Sequence, residues 1–201
     1  MAQFPSAEAR SALSAYLDLL AKWNRVYNLT SIRERSEMHP LHVEDSLAVL
    51  PWFPSRSGIR LLDVGSGGGL PGIPLAIARP DWQVVLVEAS GKKAAFLKQV
   101  TIELSLRNVH VDASRIEDYR SASPFDVVIS RAFSDLATFA RLARAHLAPA
   151  GVIAAMKGIV PDEEIRALPD DIVVTGMPAL DVPGLDVERH LVLMQLKGGC
   201  A

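Results

Sequence analysis

The chain has 201 residues, 49% hydrophobic, 22% charged and 6% aromatic, with 21 Lys plus Arg against 23 Asp plus Glu and a net charge of −2. One compact domain of this size hides roughly 70% of the surface its unfolded chain exposes, so it needs no disulfide or structural metal. The only cysteine, Cys200, excludes an internal disulfide framework, a Cys-rich zinc site and a cysteine nucleophile deep in a pocket, and no metal is expected.

From the amino terminus, MAQFPSAEAR lacks the apolar stretch of a signal peptide, and no apolar run approaches the roughly 18 residues of a membrane span. A cytoplasmic protein with no membrane attachment is expected. Ser6 is placed to cap a helix in which Leu13, Tyr16, Leu17, Leu20, Asn24 and Tyr27 follow at three- and four-residue spacing, with Trp23 beside the stripe. The polar stretch YNLTSIRERSEMHP reads as irregular. A second helix is predicted over Leu41 to Leu50, closing before Pro51 and the turn-rich PSRSG. These residues, 1–57, are expected to form a helical cap on a domain of residues 58–201.

After Gly58, short apolar runs alternate with helical ones. Strands are predicted at Ile59 to Val64, Gln83 to Val87, Val109 to Val111, Phe125 to Ile129, Val152 to Met156, Ile172 to Val174 and His190 to Leu196. Helices are predicted at Pro71 to Arg79, Lys92 to Leu106 and Asp135 to Leu147. Continuous apolar strands alternating with helices imply an α/β fold, Rossmann-like, with a seven-stranded, mostly parallel sheet covered on both faces. The last two strands are joined by MPALDVPGLDVE, which has little helical pattern, so the final strand is expected to return antiparallel. Up to Lys157 the chain carries 18 basic and 15 acidic residues, and beyond it 3 basic and 8 acidic. That balance rules out an RNA-coating protein but not an enzyme with one phosphate-facing patch.

The strongest local signal is LLDVGSGGGLPGIPLAI, Leu61 to Ile77, in which a buried strand meets Asp63, then Gly65, Gly67, Gly68, Gly69 and Gly72, then a helix. Glycines let the backbone turn sharply and let a ligand approach it, and the helix start offers free N–H groups. Two registers overlap. Gly65 to Gly69 fits the G-x-G-x-G loop of class I S-adenosylmethionine methyltransferases, and Gly67 to Gly72 fits the dinucleotide G-x-G-x-x-G. Asp63 favours the first, because its carboxylate suits a cationic amino-acid moiety and would repel a pyrophosphate. Glu88, at the end of the second strand, suits the hydroxyls of a ribose, and Ile116 with Glu117 suits an adenine, by packing on the ring and reading its amino edge.

The fourth strand ends Ser130-Arg131-Ala132-Phe133, without the Asn/Asp-Pro-Pro-aromatic pattern of amino-group methyltransferases. Methylation of cytosine carbon 5 needs a thiolate that Cys200 is too remote to supply. Ribose methylation needs a base, and Lys157 is a candidate that shows no matching acidic partner in the sequence. A ring nitrogen such as guanine N7 needs only positioning, since it has a lone pair and no proton to lose. Arg131 can contact a guanine, pair with Asp135 or meet a cofactor carboxylate. Two other classes use the same loop: an NAD-dependent oxidoreductase, for which no hydride-site pattern appears, and a non-catalytic nucleotide-binding module.

WNRVYNLTSI at Trp23 to Ile32, LHVEDSL at Leu41 to Leu47, DVGSGGGLPGIPL at Asp63 to Leu75, FDVVISRA at Phe125 to Ala132 and MKG at Met156 to Gly158 together resemble one family, the bacterial RsmG or glucose-inhibited division protein B type. The resemblance covers nearly the whole chain. It implies a 16S ribosomal RNA guanine-N7 methyltransferase that uses S-adenosylmethionine and acts near the decoding centre on ribosomal RNA or the small subunit; a monomer is expected. By matching position it implies cofactor contacts at Gly65, Leu70, Ile116, Glu117 and Arg131, and substrate-facing residues at Asn28, Thr30, His42, Asp45 and Ser46, with Lys157 beside them. A role in joining the cap to the glycine loop is an equal expectation for His42, Asp45 and Ser46, and helix capping for Asn28 and Thr30. Lys92, Lys93, Lys98 and Arg107 form either an RNA-facing stripe or a solvated helix face.

Overall fold

The computed structural model describes residues 6–131, 133, 135–185 and 187–198. Cys200 and Ala132 of the Ser130-to-Phe133 tetrapeptide lie outside the described residues.

Helix α1, Ala7–Tyr27, is capped by Ser6, whose Oγ accepts from Ala9 N at 3.2 Å. It ends at Asn28 in the left-handed region, with φ 50°. The second helical stretch departs from the expected Leu41-to-Leu50 segment. It begins earlier, with α2 at Arg35–Met38, widens into a π-helical turn over His39–Glu44, and resumes as α3 at Asp45–Leu47. Pro40 has no N–H to give the preceding turn and its ring crowds that turn's carbonyl, and the helix widens where it enters.

The sheet strands are β1 Arg60–Val64, β2 Gln83–Val87, β3 Val109–Asp112, β4 Phe125–Ser130, β5 Leu147–Lys157, β6 Ile172–Gly176 and β7 His190–Leu196. The helices among them are α4 Gly72–Ala78, α5 Gly91–Glu103, α6 Leu136–Ala143 and the short α7 Asp162–Arg166, which has no counterpart in the sequence reading. The order is β3-β2-β1-β4-β5-β7-β6, parallel except for β7, which runs antiparallel between β5 and β6 as expected for the final strand. Strand β5 starts five residues before the predicted Val152, because Leu147 pairs with Phe125 ahead of an irregularity that shifts the register to Val127 with Val152.

Alternate residues of the inner strands feed two cores. Leu61, Val84, Leu86, Val127 and Ile129 pack with α1, α4 and α5 on one face. Leu62, Val64, Val85, Val87 and Val128 pack with α6 on the other. Tyr16, Leu17 and Leu20 of α1 belong to the first core, so the front helix shares its packing with the sheet. Strand order reverses between β1 and β4, which opens a crevice beyond their carboxyl ends, the usual ligand position in such sheets. No helix among the described residues is long and apolar enough to cross a membrane.

Candidate active site

The glycine loop fills that crevice. Gly65 and Gly67 have φ of 69° and 57°, and a Cβ on Gly65 would meet nothing within 4 Å, while one on Gly67 would meet only Gly65 O at 3.9 Å. These positions need glycine for conformation and leave open space beside the backbone. Gly72 is glycine for the opposite reason, since a Cβ there would run into Leu86 and Asp63.

Two carboxylates hold the loop. Glu88, only 7% exposed, accepts from Gly67 N at 2.8 Å through one oxygen and from Ser90 N at 2.8 Å through the other. It is therefore no solvated acid, although each oxygen keeps a lone pair for a further donor. Asp63 is fully buried at the end of β1, where Oδ2 accepts from Gly72 N at 2.9 Å and Oδ1 has no partner. Burial pushes its pKa up from 3.8 to about 7, against the opposing pull of the Gly72 N–H and Arg131. A partnerless buried carboxylate oxygen beside an open glycine turn fits the cationic end of S-adenosylmethionine. The same carboxylate disfavours a dinucleotide pyrophosphate.

On the other side of the crevice, a cleft of about 370 Å³ is lined by Thr30, His42, Asp45, Arg131, Lys157 and Arg189 among others. Asp45, with a side chain only 4% exposed, binds Arg189 Nε through Oδ1 at 3.0 Å and Arg131 Nη1 through Oδ2 at 3.4 Å. His42 Nε2 lies 2.8 Å from Thr30 Oγ1, and its Nδ1 lies 2.9 Å from Leu41 O. Burial, reinforced by the Arg131 charge, lowers the His42 pKa from 6.5 to about 4, so the ring is neutral at physiological pH. A larger cleft of about 620 Å³, among Trp52, Arg56, Ala150 and Gln195, opens at the far end of β4 and β5 and holds none of the sequence-predicted site residues.

A family model, rRNA small subunit methyltransferase G (GidB), matches residues 9–192. The chain belongs to this family. A ribosomal RNA small subunit methyltransferase G of Laribacter hongkongensis is 54% identical over 192 residues, covering 96% of this chain and 91% of that protein. Its counterpart in Nitrosospira multiformis is 52% identical, covering 94% and 89%. Among solved structures, the O-methyltransferase TomG of Streptomyces achromogenes, in complex with S-adenosylmethionine, superposes with a TM-score of 0.61 at 20% identity over 90% of this chain and 89% of that one. The glycopeptide N-methyltransferase MtfA gives 0.65 at 14% identity over 77% and 95%. At those identities the likeness establishes the class I methyltransferase fold.

Within this GidB-family chain, the structure brings Thr30, His42, Asp45, Arg131 and Lys157 to one cleft and Asp63, Gly65, Gly67 and Glu88 to the adjoining loop. Ser46 is buried and donates to His42 O, within the cap. Asn28 is the exposed cap of α1, its Oδ1 accepting from Arg33 at 3.0 Å. Ile116 is 7% exposed and packs with Tyr119 in the second core, while Glu117 is exposed. Gly69 and Leu70 complete the loop, both donating to Ser66 O.

Two expectations are corrected. Arg131 pairs with Asp45 rather than Asp135, whose side chain instead caps α6 by accepting from Thr138 N at 2.6 Å. Lys157 does have an acidic partner. Its Nζ donates to Glu164 Oε2 at 2.7 Å and to Phe133 O at 3.1 Å. Sequence reasoning also missed Asn24, Tyr16 and Arg189. Asn24, an apparent stripe residue, holds Thr30 N at 2.9 Å and Ile32 O at 3.0 Å, and its polar amide in an apolar stripe was the available signal.

Proposed function

We propose that this protein transfers the methyl group of S-adenosylmethionine to N7 of one guanine in 16S ribosomal RNA, near the decoding centre. It does so as a cytoplasmic monomer in which residues 1–57 cap a methyltransferase domain of residues 58–201. The observation that carries this reading is the family match over residues 9–192, with relatives named ribosomal RNA small subunit methyltransferase G covering more than nine-tenths of the chain.

When bound, S-adenosylmethionine supplies an electrophilic methyl on a sulfonium. Asp63 would face its cationic end, Gly65 and Gly67 would leave it room beside the backbone, Gly69 and Leu70 would complete the loop around it, Glu88 would accept from the ribose hydroxyls, and Ile116 with Glu117 would meet the adenine. Arg131 positions cofactor and base across the cleft, and Asn28, Thr30, His42, Asp45, Ser46 and Lys157 face or shape the substrate side. Guanine N7 brings its own lone pair, so alignment along the methyl–sulfur axis suffices. Lys157 gives hydrogens to Glu164 and Phe133, an arrangement suited to a tethered cation rather than to a base aimed into the cleft.

Mass spectrometry of nucleosides from RNA reacted with the purified protein tests the product. N7-methylguanosine at one position is expected, and borohydride–aniline treatment should cleave the chain there. A methylated amine, ribose or cytosine carbon without N7-methylguanosine would refute the reading. Thermal-shift titration separates the cofactor classes: stabilisation by S-adenosylhomocysteine and none by NAD is expected, and the reverse would favour the oxidoreductase.

A further inference from the structure

We propose that Tyr16 of α1 is a positioning residue of the cofactor site, so that the front helix helps to build the methyl-donor pocket as well as the substrate side. The inference rests on the S-adenosylmethionine reading above.

Tyr16 is fully buried, and its phenol donates to the Gly68 carbonyl at 2.6 Å across 52 residues of sequence. Burial pushes the phenol above its ordinary range, so the hydroxyl remains a donor. One turn further along α1, Leu20 sits 3.2 Å from where a Cβ of Gly68 would project, and Leu29 O lies at 3.5 Å. The middle of the loop is thus held from two sides. Glu88 takes the Gly67 N–H from β2, and Tyr16 takes the Gly68 carbonyl from the cap. Among the described residues the Gly68 N–H has no acceptor, whereas the N–H groups of Gly65, Ser66, Gly67, Gly69 and Leu70 all have one. That unpaired N–H belongs to a buried residue, the one whose following peptide plane Tyr16 fixes. A loop of glycines has many backbone states to lose on binding, and a tether that orders it beforehand removes part of that cost.

The same helix reaches the substrate side. Asn24, eight residues or about 12 Å along the helix axis, holds Thr30 N and Ile32 O, and Thr30 contacts His42. One rigid element thus sets the loop on the cofactor side and the 30–32 segment on the substrate side.

Tyr16→Phe removes only the hydroxyl, with Leu13→Val as a packing control in the same helix and the same core. Calorimetric titration of the intact protein with S-adenosylhomocysteine should show roughly three- to tenfold weaker binding for Tyr16→Phe, the loss of one ordered hydrogen bond. KM for S-adenosylmethionine should rise with it, while kcat and KM for RNA stay near parental values. Leu13→Val should lower Tm and leave the affinity alone. In the cofactor-free Tyr16→Phe protein, the Gly67 and Gly69 amides should exchange with solvent faster. Parental affinity in Tyr16→Phe overturns the proposal, as does equal weakening in Leu13→Val, which would make Tyr16 a packing residue only. If the parent protein itself fails to bind S-adenosylhomocysteine, the cofactor reading falls and takes this role with it.

Discussion

Arg189, just ahead of β7, donates through Nε to Asp45 Oδ1 at 3.0 Å across 144 residues of sequence, and Arg131 meets the other oxygen of the same carboxylate. Asp45 thereby joins the cap to the ends of two strands. Its side chain is 4% exposed, against 25% for Arg131 and 28% for Arg189. Either arginine alone still compensates the buried charge, whereas removing both leaves it unpaired in a poorly solvated place. Arg131→Ala and Arg189→Ala should each cost about 1 kcal/mol in urea unfolding, and the double variant about 1–3 kcal/mol beyond their sum. Strict additivity would mean that the two guanidiniums do not share Asp45 in solution.

Asp63 should impose a pH dependence. Its folded pKa, about 7, lies above the unfolded 3.8, so the folded chain retains a proton that the unfolded chain has released. The stability it contributes is therefore full below about pH 4 and lost as pH rises towards 7. Asp63→Asn should flatten that decline in thermal unfolding between pH 4 and 8. A cation placed against the carboxylate favours its ionised form, so S-adenosylhomocysteine should bind the parent more tightly as pH rises to 7, with proton release measurable in buffers of different ionisation enthalpy. Equal pH profiles for parent and Asp63→Asn would sink both statements.

The loop glycines should divide by variant. Gly67→Ala places its Cβ in open space at φ 57°, costing about 1–2 kcal/mol of backbone strain but blocking the ligand's approach. The protein should stay folded and lose most of its S-adenosylhomocysteine affinity. Gly72→Ala drives a Cβ against Leu86 and Asp63 and should lower Tm strongly instead. Circular dichroism melts beside ligand titration check the pair, and a fully competent Gly67→Ala protein would contradict the assignment of that space to the cofactor.

Lys157 and Glu164 should act together. Glu164 Oε2 accepts both from Lys157 Nζ at 2.7 Å and from Leu136 N at 2.8 Å, where α6 begins. Glu164→Ala leaves the Leu136 N–H without its acceptor and Lys157 with only Phe133 O, and should cost about 1–3 kcal/mol. Glu164→Gln keeps an acceptor and should cost less. Lys157→Met should raise KM for RNA without changing S-adenosylhomocysteine affinity, and an unchanged RNA KM would remove Lys157 from the substrate side.

The legible parts of this protein were the local ones. Apolar runs of strand length located all seven strands, with Gln83–Val87 and His190–Leu196 matching at both ends. Asp63 and Glu88 are legible because Asp63 is the penultimate residue of β1 and Glu88 directly follows β2. The start of the second cap helix is not legible, because SEMHP reads as polar and irregular, while packing of Met38 and Val43 into the core draws Arg35 to Leu47 into a helix with a π turn at its centre.

By itself, the sequence determined the alternation of strands and helices, the glycine loop and the acids flanking it. These follow from side-chain periodicity and backbone sterics, which act over a few residues. Only the tertiary structure decided that β7 enters between β5 and β6, that Arg131 takes Asp45, that Lys157 takes Glu164, and that Tyr16 reaches Gly68. A charge or a hydroxyl records in the chain what it can bind but not which partner the folded sheet will carry to it. The pairings of Arg131 with Asp45 and Tyr16 with Gly68 close over 86 and 52 residues, distances at which no local pattern distinguishes one carboxylate or carbonyl from another.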